Sequence, residues 1–181
     1  LIVAYQLIAQ TPMPHLKEVL DLFSKTAAEI CEGQQYDVDY EARKKVEIDE
    51  YIEMIRLKTA VLLGCALKTG AIIGNASPAD ANLLYDVGIN IGLAFQLKDD
   101  LLDVYGDEAT FGKKIGGDIL CNKKTYLLIQ ALESAQGEDK VKLNSFLEDK
   151  TLGDAEKIKS VTLMYDKLGV KQKCEDKLCY Y

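Results

Sequence analysis

The chain has 181 residues, enough for one sizeable hydrophobic core. Lysine and arginine total 22 against 29 aspartates and glutamates, a net charge of -7; this disfavours a general nucleic-acid binder, which needs a basic surface, but not a local site for a small phosphate. No apolar run reaches the length of a membrane span, and five scattered cysteines without C-x-x-C spacing argue against a disulfide framework or a zinc site.

Reduced cytosolic thiols are the plain reading of all five, Cys31, Cys65, Cys121, Cys174 and Cys179. Cys174 and Cys179 are close enough in sequence to pair on oxidation, and no function is expected from that. The opening "LIVAYQLIAQ" has no basic n-region and no small-residue cleavage site, so it is not a signal peptide. It begins at Leu1, without Met, inside an apolar helical segment, and further helices are therefore expected upstream.

After Pro12 and Pro14, the residues Leu16, Val19, Leu20, Phe23, Ala27 and Ile30 form one helical stripe, with Gly33 as the predicted stop. "YDVDYEARKK" then reads as an acidic, mixed loop. His15, the single histidine, lies beside the prolines, which sets aside histidine-based triad chemistry. Val46 to about Ile73 reads as a helix or a broken pair, with Gly64 and Gly70 as weak points. "NASPADANLL" is a start signal: Ser77 can cap, Pro78 suits the first helical position and Asp80 the first turn. That helix is predicted to run to about Tyr105.

A basic, glycine-rich loop follows, broken by Gly106, Gly112, Gly116 and Gly117. A helix resumes near Thr125 and stops near Gly137. Two amphipathic segments come next, about Lys140 to Leu147 and Ala155 to Leu168, the second stopped by Gly169; the tail extends the last helix or frays. The expected architecture is one all-α domain, 1–181, of mostly antiparallel helices.

The stretch "FQLKDDLLDVYG" carries the chemistry. Phe95, Asp99 and Asp103 recur every four residues and share a helix face; Gln96 is near it, and Asp100 is turned about 100° away, towards its edge. Alone, D-D-x-x-D reads as easily as a solvated face. Here the flank "GINIGLAFQL" is almost wholly apolar, so the helix is expected deep in the bundle, where acids must be paired or metal-bound. Mg²⁺ is the natural partner, because it prefers oxygen and takes one or two carboxylates plus waters and phosphates. Lys113, Lys114, Lys123 and Lys124 lie in the loop just after the acids, where glycines let the backbone approach a ligand and lysines serve as point charges for phosphate. Lys58 and Thr59 sit in another apolar helix, "IRLKTAVLL", and Gln34 and Asp37 at an expected helix end, "CEGQQYDVD".

Four segments in order resemble the motifs of the polyprenyl (isoprenyl) diphosphate synthases, the trans-prenyltransferase family, over most of the chain. "GQQYD" resembles G-Q-x-x-D, "KTAVLL" resembles K-T-x-x-L, and "GLAFQLKDDLLD" resembles the second aspartate-rich motif, F-Q-x-x-D-D-x-x-D. "GKKIGGDILCNKKT" resembles G-K-x-x-G-x-D-(I/L)-x-x-G-K-x-T, with Asn122 in place of the usual glycine; Leu127, just beyond, stands where many members have proline.

The resemblance implies an isoprenoid synthase-like bundle of helices around a central cavity, a cytoplasmic homodimer, and condensation of isopentenyl diphosphate with an allylic diphosphate. It implies Asp99 as a direct magnesium ligand, with Asp100 and Asp103 supporting through waters or hydrogen bonds. Lys58, Lys113 or Lys114, and Lys123 would bind diphosphate. Thr59, Phe95 and Gln96 would line the reacting centre, with Gln34 and Asp37 supporting the metal's water shell. The family's first aspartate-rich motif has no counterpart among these 181 residues, and the segment alone is therefore expected to be inactive. A non-catalytic subunit of a heteromeric synthase is the alternative; such a subunit would be expected to lose acids or lysines that this chain retains.

Overall fold

The computed structural model describes all residues except 108–111, 113, 114 and 150. Among the described residues all regular structure is helical, as expected. The order is α1 (Ile2–Ile8), α2 (Met13–Ala42), α3 (Ile48–Ile55), a π-helical turn (Arg56–Ala60), α4 (Val61–Ile73), α5 (Pro78–Tyr105), α6 (Gly117–Leu120), α7 (Tyr126–Ser134), α8 (Gly137–Glu148), α9 (Asp154–Lys167) and α10 (Val170–Tyr180). They group into two compact units, Leu1–Val38 with Ile52–Leu93, and Asp39–Tyr51 with Ala94–Tyr181.

In the first unit, Val19, Ala71, Ile72 and Ala81 form a small core with Ile8 and Leu22 against it. Small residues let the backbones of α4 and α5 touch. A Cβ added at Gly88 would lie 2.6 Å from the Gly64 Cα, and one at Gly92 2.5 Å from the Ala60 Cα. Gly33 is not the predicted helix stop. Helix α2 continues through it to Ala42, which also makes most of "YDVDYEARKK" helical. The glycine serves close approach instead: a Cβ there would lie 2.8 Å from the Leu57 Cβ. Nor do Gly64 and Gly70 break the helix; the irregularity falls earlier, in the π turn that carries Lys58 and Thr59.

The start of α5 is as read from sequence. The Ser77 Oγ accepts from the Asp80 N–H at 3.2 Å and donates to the Asp80 carboxylate at 2.8 Å. The helix ends at Tyr105, as predicted.

The second unit packs α9 against α6, α7, α8 and α10. Leu97, Leu127, Leu143, Val161, Val170 and Cys174 are fully buried there. Thr125 caps α7, accepting from the Leu128 N–H at 3.4 Å. Gly137 begins α8 rather than ending α7. Asn122 has φ 52°, the left-handed region that glycine adopts freely and asparagine tolerates, which explains why it can stand where the family has glycine. Its side chain also donates to the Leu147 carbonyl at 2.9 Å, tying its turn to the end of α8. The last segment is helical to Tyr180, and all five cysteines are free.

Candidate active site

Helix α5 does not bury all of its apolar flank. Leu97 and Leu101 point into the second unit's core, whereas Phe95 is 60% exposed. Asp100 falls on the buried stripe and is only 4% exposed, so it is a core residue, not one at the edge. Its Oδ2 accepts from the Tyr51 hydroxyl at 2.6 Å and from the Tyr126 backbone N–H at 3.0 Å. Burial pushes its pKa up to about 7, against the pull of those two donors. The tyrosines in turn pack edge to face, 6.5 Å between ring centroids. Asp100 thus ties α5 to the end of the 39–51 segment and to the start of α7.

Asp99 and Asp103 are half-buried on the neighbouring face. Asp103 is fixed by the turn before α6. Its carbonyl accepts from the Gly116 N–H at 2.7 Å, and its Oδ2 from the Asp118 N–H at 3.0 Å. That turn depends on Gly116, whose φ is +84° and where a Cβ would lie 2.5 Å from the end of the Ile158 side chain. The turn delivers a further acid, Asp118, to which sequence reading gave no role although the fourth motif contains it. Burial raises its pKa; Lys123, 3.6 Å away, opposes this, while Asp103 and Asp99 add to it. Three carboxylates and one ammonium therefore share one electrostatic neighbourhood. Lys113 and Lys114 lie outside the described residues.

In the first unit the Lys58 Nζ donates to the Asp37 Oδ2 at 2.5 Å, a half-buried ion pair from the π turn to α2. Gln34 is exposed one turn before Asp37, and Thr59 is half-buried beside Lys58. Both Gln34 and Asp37 lie inside α2, not at its end. Short π segments of this kind often mark functional sites.

The acid cluster fits magnesium in kind. Its donors are hard oxygens, and Asp118 is destabilised as an anion first by burial and then by Asp103 and Asp99, which a cation would relieve. Among the described residues, no group of three or more His, Cys, Asp or Glu side chains converges closely enough to hold a metal by protein atoms alone. Such a centre would need waters or phosphate oxygens to complete it, the usual state of protein-bound magnesium.

Comparison with known proteins identifies the family. Residues 1–164 match the polyprenyl synthetase family model. The chain is 40% identical over 157 residues to a short chain isoprenyl diphosphate synthase of Methanothermobacter thermautotrophicus, covering 87% of this chain and 47% of that protein. A crystal structure of a geranylgeranyl pyrophosphate synthase superposes with a TM-score of 0.92 at 42% identity, covering 99% of this chain and 56% of that one. The geranylgeranyl pyrophosphate synthase of Corynebacterium glutamicum, solved with isoprenyl diphosphate and magnesium, is 30% identical with a TM-score of 0.84, covering 94% of this chain and 48% of that one. The chain thus spans about half the length of the relatives it matches. With its four motifs in order and its all-helical fold, the chain belongs to the polyprenyl synthetase family.

Proposed function

We propose that the protein is a magnesium-dependent trans-prenyltransferase that joins isopentenyl diphosphate to an allylic diphosphate and releases diphosphate. The observation that carries this reading is the cluster of Asp99, Asp103 and Asp118 with Lys123 beside it, fixed by the bond from the Asp118 N–H to Asp103. Asp99 and Asp103 supply the ligand oxygens. Asp100 acts as a positioning residue, because its carboxylate is already engaged by Tyr51 and Tyr126. Lys123 is a cation for diphosphate oxygens, as is Lys58, which Asp37 orients. Lys113 or Lys114 adds a further charge. Magnesium, when bound, supplies the positive charge that stabilises a departing diphosphate. The motif resemblance gives Thr59, Phe95 and Gln96 roles at the reacting carbons and Gln34 a role in the metal's water shell.

No protein nucleophile is required, since leaving-group stabilisation is electrostatic work. The exposed apolar side chains Leu83, Leu84, Val87 and Ile91 on α5 support a homodimer. No helix among the described residues is long and apolar enough to cross a membrane, in keeping with a cytoplasmic enzyme.

The test is incubation of the whole protein with magnesium, isopentenyl diphosphate and an allylic diphosphate, with products identified by mass. A ladder ending at one chain length is expected, and its loss in Asp99→Asn. No product from folded protein would favour the non-catalytic subunit.

A further inference from the structure

A cavity of about 600 Å³ opens in the second unit, walled by Lys44, Lys45, Lys124 and Lys140. Of these, only Lys124 lies in the glycine-rich loop read above as suited to phosphate, and none is among Lys58, Lys113, Lys114 and Lys123, the lysines given to diphosphate in the proposed reaction. We propose that the cavity binds a soluble phosphorylated amphiphile, a small molecule with a phosphate or diphosphate head and an apolar body.

Charge is the first argument. The protein carries a net charge of -7, yet four of its 22 basic residues converge on this one cavity. Like charges gathered in one concavity repel and raise the local positive potential, so an anion is attracted there and relieves the repulsion. The protein's own acids do so only in part. Lys45 pairs with Glu47, and Glu133 is the one acid in the lining. Among the described residues neither Lys44 nor Lys140 makes an ion pair. Lys124 donates only to the Asn122 carbonyl, at 3.3 Å, a long bond that it can exchange for a phosphate oxygen.

Size and floor are the second argument. A volume near 600 Å³ is that of a site for a small organic molecule, and a bare phosphate would leave most of it filled with water. Between the lysines the lining is mixed: the core residues Val46, Ile129 and Ala135, with Leu132 beside them, give it an apolar part, and Glu133 and Gln136 a polar one. A hydrocarbon or aromatic body covering the apolar part removes that surface from water, while the head meets ammonium groups at the rim. Recognition by lysines needs no metal, which separates this site from the acid cluster.

The test uses the protein in EDTA, titrated with octyl phosphate, inorganic phosphate or octanol, and followed by backbone amide shifts. Octyl phosphate is expected to bind about tenfold or more tightly than either half-molecule, with shifts centred on Val46, Lys124, Ile129 and Gln136. The exposed double variant Lys44→Ala/Lys140→Ala should weaken it by about tenfold or more, and Asp99→Asn should leave it unchanged. Equal affinity for inorganic phosphate, shifts centred outside the cavity, or an unaffected double variant would each overturn the proposal. So would co-sedimentation with phosphatidic acid vesicles without octyl phosphate binding, which would assign the lysines to a membrane surface.

Discussion

At the scale of single residues, the adjacent aspartates of α5 do different work because one helical step separates a half-buried face from the core. Asp100 is held by Tyr51 and Tyr126 in the interior. Replacing Tyr51 by Phe removes one donor and leaves a buried carboxylate less satisfied, which should cost about 1–3 kcal/mol in urea unfolding. A variant as stable as the parent would show that the bond does little. The pH dependence follows from the same burial. The folded-state pKa of Asp100, about 7, is above its ordinary value, so folding favours the protonated form. Its contribution is complete below about pH 4 and is lost as pH rises through about 7. In EDTA, Asp100→Asn should therefore gain stability relative to the parent between pH 4.5 and 7.5, by an amount on the order of a few kcal/mol. A difference between the two proteins that does not change with pH would contradict this. Sequence placed the acids on a helix with two faces. It put Asp100 at the edge, because the three-residue pattern fixes angles around the helix but not which side meets the core.

At the scale of elements, what could be read from sequence divides by whether the signal is local. Ser77, Pro78 and Asp80 announce the start of α5 through chemistry contained in four residues, and the start is found there. Gly33 carries the same local signal as a helix stop, yet it lies mid-helix, because its missing side chain is needed by Leu57 and Lys58 about 25 residues away. No local rule can see that neighbour. The π turn at Arg56–Ala60 was equally hidden, since its residues have ordinary helical patterning. The contact of α4 with α5 gives a sharp test. A Cβ at Gly88 would meet backbone atoms of Gly64 at 2.6 Å, and backbone yields far less readily than a side-chain tip. Gly88→Ala should therefore destabilise the protein by about 2 kcal/mol or more, despite alanine's better helix propensity. An unchanged or raised melting temperature would mean that the helices separate at little cost.

At the scale of the whole molecule, an acidic protein, if it is to bind the diphosphates proposed above, must supply or recruit positive charge. Lys58 and Lys123 supply some, and each is already near a carboxylate, Asp37 and Asp118 respectively. The acids of α5 and Asp118 repel a diphosphate unless a divalent cation joins them. Stabilisation by inorganic diphosphate should therefore require magnesium: diphosphate with magnesium should raise the melting temperature well above that with diphosphate in EDTA. At a hundredfold excess over Kd the linkage is about 2.7 kcal/mol, which for a chain of this size corresponds to about 5–10 °C. Asp99→Asn should abolish the magnesium-dependent increment while leaving the melting temperature in EDTA within a degree or two, because Asp99 is not a core residue. An increment of equal size in EDTA, or one that survives Asp99→Asn, would remove the acid cluster from diphosphate binding and leave the lysines as the sole anion receptors.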